Sequence, residues 1–339
     1  MASQSHPDAY LTPNSAALSP VVAPTSLDGP AIPNDRSIPG KKSGVEGWSY
    51  AEAFSRNLGL INPEEQQRLQ AARVAIPGMG GVGGIHLMTL ARLGIGAFRI
   101  ADPDTFEVGN FNRQFGANIN GLGRGKAEVM ADQARGVNPE LDIEVLPERI
   151  RQENIEAFLD GVDVVVDGVD YFAFEARRML FREARKAGKW VVTAGPIGFS
   201  SAWLVFDPCG MSFDEYFDLH DGMDPLDQFA AFTIGVAPKG THWPYLDLSH
   251  VDRESGRAPS VGLACHLASG VAATEVVKIL LGRGNLRPAP YYAQFDAYRH
   301  LLRQGKLRGG NRHPIQRLKR YLLRRRMYKL GFGAPTPVT

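Results

Sequence analysis

The sequence predicts an α/β fold with a doubly wound, mainly parallel β-sheet and helices on both of its faces. In the middle of the 339-residue chain, short apolar runs alternate with segments of helical periodicity. The apolar runs are continuous, which is typical of strands buried on both faces of a parallel sheet. Hydrophobic residues make up 44% of the chain, enough for a sizeable core.

The alternation begins after an N-terminal helical segment, Glu52 to Ala72, in which Pro63 marks a second helix start. The strands that we then predict are Val74–Ile76, Phe98–Ala101, Ile143–Leu146, Val162–Val166 and Trp190–Thr193. The helices predicted between them are Ile85–Leu93, Lys126–Val137, Asn154–Leu159 and Glu175–Ala187. Such alternation predicts parallel strands joined by crossover helices.

After a further strand, Ala202–Phe206, the pattern becomes irregular. Residues 207–227 hold seven acidic residues and no Lys or Arg, and residues 235–260 are rich in Pro, Gly, Asp and Ser. A loop of this length is usually functional or mobile. Order returns with an Ala-rich helix, Gly262–Leu281, and Tyr291–Phe295 is the predicted last strand.

Residues 1–47 are rich in Pro, Ser, Ala and Gly without apolar periodicity, and we predict a disordered leader there. The N-terminus lacks the basic start and apolar run of a secretory signal, and no apolar run approaches the roughly 20 residues of a membrane span. Two cysteines, Cys209 and Cys265, form no Cys-x-x-Cys pair, so we expect no zinc site. These features predict a cytoplasmic protein.

The net charge of +2 hides an uneven distribution. Residues 297–339 contain 12 Lys and Arg and no acidic residue, which leaves 26 basic against 36 acidic residues elsewhere, a balance of −10. We predict a basic C-terminal extension over 297–339, with a basic helix near its end. Packing on the acidic body, contact with RNA and contact with an anionic membrane surface all suit it, and the sequence leaves these three open.

A glycine motif follows the first predicted strand and contains Gly78, Gly80, Gly81 and Gly83. Glycine lets the backbone approach a phosphate closely, and the helix start that follows offers free N–H groups to negative charge. Asp102 ends the next strand, 24 residues beyond Gly78, where a carboxylate can accept from both hydroxyls of a ribose. Together these features predict a nucleotide site in a Rossmann-like domain.

Asn110, Arg113, Gln114 and Lys126 indicate which nucleotide this is. Arg113 and Lys126 bring two fixed positive charges toward the same strand ends. Cleavage of ATP between its α- and β-phosphates requires neutralisation of the charge that grows on the leaving pyrophosphate. A nicotinamide cofactor has no such requirement, so this set favours ATP.

Two aspartates at the end of a later strand, Asp167 and Asp170, are candidate ligands of the Mg²⁺ that accompanies a triphosphate. Their alternative role is to cap a helix. Neither cysteine has an activating environment: Cys265 lies in a helix of small and apolar residues, and acidic neighbours raise the pKa expected for the Cys209 thiol. We expect His86 and His266 to be core or capping residues.

The motifs together resemble those of the ThiF/MoeB/HesA family, the bacterial relatives of ubiquitin-activating enzymes. The resemblance covers roughly residues 48–296 and rests on the glycine loop and on Asp102, Asp104, Asn110, Arg113, Gln114, Lys126 and Asp170. It implies a ThiF-type adenylation domain in which Asp102 binds the ribose and Asp170 holds Mg²⁺. The phosphate contacts that it implies are those of Asn110, Arg113 and Lys126, with Gln114 in support.

An upstream pair, Arg56-Asn57, resembles the family's N-terminal Arg-Asn/Gln element. The resemblance implies a homodimer in which Arg56 reaches the ATP of the neighbouring subunit. The chain departs from the family pattern in two places: Tyr171 follows Asp170 where Asn is common, and the paired Cys-x-x-Cys motifs of many sulfur-carrier activators are absent.

The segments around Gly94 and Gly125 also resemble TcdA, the family member that cyclises threonylcarbamoyladenosine in tRNA. Either resemblance implies the same first step, attack of a carboxylate on the α-phosphate of Mg·ATP. The predicted function is therefore ATP- and Mg-dependent adenylylation of a carboxylate, with the C-terminus of a small ubiquitin-like or sulfur-carrier protein as the favoured acceptor. The alternatives are the TcdA-like tRNA reaction, a regulatory nucleotide-binding module and, most remotely, an NAD-dependent oxidoreductase.

Overall fold

The computed structural model describes residues 44–252 and 257–329, so the predicted leader lies almost wholly outside the described residues. The strands are β1 (Arg73–Pro77), β2 (Ala97–Ala101), β3 (Asp142–Leu146), β4 (Val164–Asp167), β5 (Trp190–Ile197), β6 (Ser200–Phe206), β7 (Tyr291–Asp296) and β8 (Leu301–Lys306). They form one sheet in the order β3-β2-β1-β4-β5-β6-β7-β8. The first five are parallel, and β6, β7 and β8 run antiparallel to their neighbours.

The α-helices in the described residues are α1 (Tyr50–Ala53), α2 (Pro63–Ala71), α3 (Gly83–Arg92), α4 (Lys126–Val137), α5 (Ile155–Leu159), α6 (Phe174–Lys186), α7 (Phe213–Phe217), α8 (Pro225–Val236), α9 (Gly262–Leu281) and α10 (Pro314–Lys329). One apolar cluster joins α3, α4 and α9 to one face of the sheet. A second cluster joins α5, α6, α7, α8 and α10 to the opposite face. Two covered faces confirm the doubly wound arrangement.

The strand order reverses at β1, because β2 and β3 lie on one side of it and β4 and β5 lie on the other. In open α/β sheets, ligands bind beyond the carboxyl ends of the strands at such a point. The loops after β1 and β4 touch there: Gly78 has a φ of +90°, and a Cβ on it would collide with the Gly168 carbonyl oxygen. Glycine is therefore required at this crossing of two loops.

Two elements differ from the sequence prediction. Tyr291–Phe295 is not the last strand, because β8 follows it as an antiparallel edge strand and places the 296/297 boundary inside a hairpin. The region predicted to be irregular after residue 206 contains α7 and α8. Each begins at a capping residue, Ser212 and Asp224, whose side chain accepts from backbone N–H groups of the first turn. These two capping residues indicate helix starts in the sequence, but the acidic composition of the segment led to the prediction of an irregular loop.

The basic extension packs on the acidic segment, the first of the three interpretations. Leu323 and Met327 of α10 are buried in the second apolar cluster. Arg320 Nη1 lies 2.7 Å from Asp218 Oδ2, and Arg324 Nη1 lies 2.9 Å from an Asp227 carboxylate oxygen. Opposite charge and apolar burial therefore hold α10 against α7 and α8.

Among the described residues, α9 is the one helix whose length and apolar composition would also suit a membrane span. Its inner side packs against β5 and β6 in the first apolar cluster. Its outer side is partly open: Leu263, His266, Gly270 and Thr274 are exposed. His266 is exposed and lies inside α9, whose capping residues are Val261 and Gly282, so it is neither the core nor the capping residue that was predicted, whereas His86 is fully buried in α3.

Candidate functional site

The glycine loop, residues 78–83, connects β1 to α3 and has two kinds of glycine. A Cβ on Gly83 would collide with the Gly78 carbonyl oxygen, so Gly78 and Gly83 shape the turn itself. A Cβ on Gly80 would lie 3.8 Å from Gln114 Nε2, and one on Gly81 would lie 3.3 Å from Cys265 Sγ. Gly80 and Gly81 therefore form the part of the loop that faces other side chains of the site.

Asp102 holds the loop after β2 against the glycine loop. It is buried, and its two carboxylate oxygens accept from the backbone N–H groups of Met79, at 2.6 Å, and Asp104, at 2.8 Å. Burial raises the pKa of Asp102, although these two N–H groups and nearby Lys126 act in the opposite direction. Each oxygen keeps a second lone pair, so the carboxylate can still accept from ribose hydroxyls.

Lys126 begins α4 and lies on the other side of this loop. Its Nζ is 3.1 Å from Asp104 Oδ2, and only 7% of the residue is exposed. A buried ammonium needs an anionic partner, and Asp104 provides one. Because an ammonium has three donors, the contact with Asp104 leaves Lys126 able to bind a phosphate oxygen as well.

Arg113 and Gln114 lie directly beside the glycine loop. The position of a Cβ on Gly81 is 3.8 Å from Arg113 Cγ. Arg113 Nη1 donates to the Gly109 carbonyl at 2.9 Å and to Asn112 Oδ1 at 3.0 Å, and the guanidinium pairs with no carboxylate in the described ranges. Gln114 is buried, and its Oε1 has no hydrogen-bond partner in the described part of the chain. Two polar groups at the loop thus retain unused bonding capacity.

Asn110 occupies the short 3₁₀ turn before Arg113. Its Oδ1 accepts from the Glu107 backbone N–H at 3.0 Å, which fixes the turn. The loop is also tied to α9, because Asn112 Nδ2 donates to the Ser260 carbonyl at 2.9 Å. Asn110 therefore has a visible structural role here, and its predicted phosphate contact stays a prediction.

The two aspartates after β4 have different environments. Asp167 is buried and accepts from Arg177 Nε at 2.9 Å and from Thr193 Oγ1 at 2.8 Å, so it is committed to the fold. Asp170 is exposed and uses one oxygen, Oδ1, to accept from the Phe172 N–H at 2.9 Å. Its other oxygen has no hydrogen-bond partner among the described residues. The described residues contain no group of three or more His, Cys, Asp or Glu positioned for a metal. Asp170 fits a Mg²⁺ that takes its remaining ligands from phosphate and water.

Arg56 lies apart from these residues. It is exposed in a 3₁₀ turn, Ser55–Asn57, which Asn57 fixes by donating to Gln66 Oε1 at 3.0 Å and to the Leu93 carbonyl at 3.1 Å. Within the described residues, Arg56 makes no hydrogen bond or ion pair with the site. A role in this chain's own site is therefore not supported by a contact.

An aromatic wall next to Asp170 was missed by the sequence analysis. Tyr171 is enclosed by aromatic rings at 5.3 to 6.3 Å between centroids, those of Phe172, Phe174, Phe229 and Phe232. Its hydroxyl lies 2.7 Å from Thr233 Oγ1, and burial raises its pKa to about 12. This residue, at a position where Asn is common in the family, thus attaches α8 to the loop that carries Asp170. The signal was the phenylalanine spacing in α8.

The two cysteines differ in exposure, as the two aspartates do: one is buried and the other is exposed. Cys265 is buried, as predicted, but its Sγ faces Gly81 and Arg113, which the helical pattern did not reveal. Burial raises the pKa of the Cys265 thiol to about 11, against the lowering influence of Arg113. Cys209 is exposed, and its backbone N–H donates to Asp207 Oδ1 at 2.8 Å. The raised pKa keeps the Cys265 thiol protonated at neutral pH.

Comparison with known proteins gives several relatives. The chain is 32% identical over 151 residues to the tRNA threonylcarbamoyladenosine dehydratase of Haemophilus influenzae, covering 44% of this chain and 57% of that protein. It is 35% identical over 123 residues to the SAMP-activating enzyme E1 of Haloferax volcanii, covering 36% and 46%. It is 28% identical over 259 residues to the sulfur carrier protein adenylyltransferase of Thermus thermophilus, covering 76% and 87%. The chain spans about half the length of the first of these relatives.

Solved structures share the fold. PaaA superposes with a TM-score of 0.57 at 19% identity, covering 78% of this chain and 76% of PaaA. Escherichia coli MccB with ATP superposes with a TM-score of 0.55 at 17% identity, covering 76% and 71%. Escherichia coli TcdA with ATP gives 0.51 at 22% identity, covering 68% and 94%. The family model described as the ThiF family matches residues 54–314, and the chain therefore belongs to the ThiF family.

Proposed function

We propose that this protein catalyses ATP- and Mg-dependent adenylylation of a carboxylate. The observation that carries the proposal is the arrangement at the sheet's reversal point, where Arg113 lies beside Gly81 and has no carboxylate partner among the described residues. A fixed cation beside a glycine loop and a helix start suits a polyphosphate. Binding of a nicotinamide cofactor does not require this cation, which argues against an oxidoreductase.

The reaction that fits this site is a substitution at the α-phosphorus of ATP. A carboxylate oxygen of the acceptor forms a bond to that phosphorus, the bond to the bridging oxygen breaks, and pyrophosphate leaves with the electron pair. Arg113 and Lys126 stabilise the negative charge that develops on the leaving pyrophosphate. Asp102 orients the ribose, and the N–H groups at the start of α3 bind phosphate oxygens. Asp170 would hold Mg²⁺, which supplies further charge neutralisation.

The favoured acceptor is the C-terminal carboxylate of a small ubiquitin-like or sulfur-carrier protein. Relatives named SAMP-activating enzyme E1 and sulfur carrier protein adenylyltransferase support it. Relatives named tRNA threonylcarbamoyladenosine dehydratase support the second candidate, in which the carboxylate belongs to a modified tRNA nucleoside. A cytoplasmic location belongs to the proposal, since the co-substrate is ATP.

A homodimer is also part of the proposal. The outer side of α9 presents Leu263, Gly270 and Thr274 to solvent. Beside it, Leu60 and Ile61 and residues of α3 and α9 line an open groove of about 590 Å³. The loop that holds Arg113 adds further exposed apolar side chains, those of Phe111, Phe115, Ile119 and Leu122. Exposed apolar side chains of this kind suit a protein–protein interface, and the exposed Arg56 lies four residues before Leu60 of the groove.

ATP–pyrophosphate exchange tests the proposed function. Each candidate ubiquitin-like protein is tested with its C-terminus intact and with the last residue removed, and tRNA is tested with and without threonylcarbamoyladenosine. Exchange that depends on an intact C-terminus supports the protein acceptor, and exchange that depends on the modified tRNA supports the second candidate. Tight ATP binding without exchange for any carboxylate would instead indicate a regulatory nucleotide-binding module.

A further inference from the structure

The outward face of α10 exposes aliphatic side chains that the fold does not use. Gln316, Leu323 and Met327 face the body and are buried. On the opposite side, Ile315, Leu318 and Leu322 are 57%, 57% and 53% exposed. Their spacing of three and four residues aligns them along one side of the helix. A helix with one buried apolar face therefore carries a second apolar stripe directed to solvent.

Cations continue and flank this stripe. Arg325 and Lys329 follow it along the same side of the helix, and Arg317 lies at its margin; all are exposed, and none pairs with a carboxylate within the described residues. Arg320 and Arg324, by contrast, are bound to Asp218 and Asp227. The two sets separate cleanly: the inner arginines bind the body, and the outer cations have no such partner.

Tyrosines border the stripe. Tyr321 and Tyr328 are 56% and 46% exposed, and the guanidinium groups of Arg325 and Arg324 lie 5.7 and 5.4 Å from their respective ring centroids. An aromatic ring with a polar tip is suited to the boundary between an apolar and an aqueous phase. The outer face of α10 thus combines aliphatic residues, bordering tyrosines and unpaired cations on 16 helical residues.

We propose that the outward face of α10 docks on an anionic lipid surface. Charge complementarity selects an anionic partner, since residues 297–339 contain 12 Lys and Arg and no acidic residue. The aliphatic stripe selects lipid over nucleic acid, because Ile315, Leu318 and Leu322 gain nothing from phosphates but become buried at the headgroup boundary. This inference goes beyond the proposed function and does not depend on it.

Docking through α10 would also position the proposed adenylylation site relative to the membrane. α8 packs against α10 on one side, where Gln316 Nε2 donates to the Ile234 carbonyl at 3.3 Å. On another side it contacts the Asp170 loop through Thr233 and Tyr171. Docking through α10 would therefore hold the proposed adenylylation site near the membrane, with α8 between the Asp170 loop and α10.

Co-sedimentation of the full-length protein with vesicles tests the proposal. Phosphatidylcholine vesicles containing phosphatidylglycerol should bind it at low salt, and vesicles of phosphatidylcholine alone should bind it far more weakly. Leu318→Ser with Leu322→Ser should lower the partition coefficient on the order of tenfold or more. Arg325→Ala and Lys329→Ala should each lower it on the order of fivefold at low salt. Leu302→Ser and Arg303→Ala, at exposed positions of β8, are matched controls and should bind as wild type.

Several outcomes would overturn the proposal. They are absence of vesicle binding, equal binding to neutral and anionic vesicles, and unchanged binding of the double leucine variant. Salt-sensitive binding of tRNA that is lost in Arg325→Ala, without vesicle binding, would assign the surface to RNA instead. Because the substituted leucines are exposed, the melting temperatures of these variants should stay at the wild-type value. Ile315→Ser provides an independent variant of the same stripe. Pyrophosphate exchange measured in parallel distinguishes failure here from failure of the proposed function.

Discussion

The arginines that hold α10 against the body and the arginine at the reversal point of the sheet are used in opposite ways. In the antiparallel half, Arg320 and Arg324 of α10 bind Asp218 and Asp227 and so hold the basic extension against the acidic segment. At the reversal point of the parallel half, Arg113 contacts only neutral oxygens, and the adjacent Gln114 Oε1 is buried without a partner in the described chain. Folding therefore pairs Arg320 and Arg324 with carboxylates, whereas Arg113 has no carboxylate partner among the described residues. This difference supports the proposal that a charged ligand binds at the reversal point of the sheet.

The largest expected effect follows from removing the two cations that are proposed to bind the phosphates. Arg113→Ala and Lys126→Ala should each lower pyrophosphate exchange by roughly 10²- to 10³-fold, because each removes a cation aimed at developing negative charge. Arg124→Ala, which breaks only an exposed pair with Asp132, is the matched control and should retain activity. If both site variants kept exchange rates within tenfold of wild type, the comparison of free and committed charges would not locate the site.

The second prediction tests the proposed dimer and the separate position of Arg56. Subunits carrying Arg56→Ala and subunits carrying Lys126→Ala should each be inactive alone, and hybrid dimers should recover exchange. Recovery is expected because one of the two sites then combines an intact Lys126 with the partner subunit's intact Arg56. Hybrids of Arg113→Ala with Lys126→Ala are the control, since both residues serve the same subunit's site and no intact site can form. Absence of recovery in verified Arg56→Ala hybrids would remove Arg56 from the neighbouring site.

The third prediction concerns the packing of α10 against α8. Leu323→Ala should lower the free energy of unfolding by about 2–5 kcal/mol, because it leaves a cavity between α10 and α8. The neighbouring Leu322→Ala removes an exposed side chain and should change it by less than about 0.5 kcal/mol. Denaturant unfolding of both variants measures this contrast, and the KM for ATP should stay within a few-fold of wild type in each. Equal stability of the two variants would mean that α10 does not pack as described.

The fourth prediction addresses the contact between the two regions. Tyr171→Phe removes the hydroxyl that bonds Thr233 and should cost about 1 kcal/mol of stability. The double variant Tyr171→Phe with Thr233→Val should be more stable than the sum of the single effects predicts, because neither partner is then left unpaired. A double-mutant cycle of unfolding free energies provides the measurement. Strict additivity would show that α8 is held by ring packing alone.

The sequence predicted the parallel half well because its signals are local. The continuous apolar strands and the glycine spacing require no knowledge of distant residues, and Gly78, Asp102 and Lys126 lie at the strand ends and helix start expected of them. It predicted the second half poorly because the deciding interactions are distant in sequence. The edge strand β8 depends on pairing with β7, and the role of Arg320 depends on Asp218, about a hundred residues earlier.

Side-chain commitment was equally hidden from the sequence. Asp167 and Asp170 are three positions apart and suit Mg²⁺ equally by composition. The resemblance to the ThiF family already favoured Asp170, and the structure adds that Asp167 is bound to Arg177 whereas Asp170 is exposed. The same holds for Cys265: its helical pattern correctly predicted burial, but its contact with the glycine loop depends on how α9 crosses the sheet.

The last prediction is that catalysis needs no cysteine. Since burial raises the pKa of Cys265 to about 11, its thiol is protonated at about pH 8, where iodoacetamide should modify exposed Cys209 in preference. Cys209→Ser should retain full pyrophosphate exchange, because adenylylation forms no bond to sulfur. Mass spectrometry of the alkylated protein and a search for thiol-labile acceptor conjugates provide the measurements. A conjugate that forms with wild type and disappears in Cys209→Ser would show that an acyl group moves on from the adenylate to this thiol, and the acidic segment around it would then belong to the reaction.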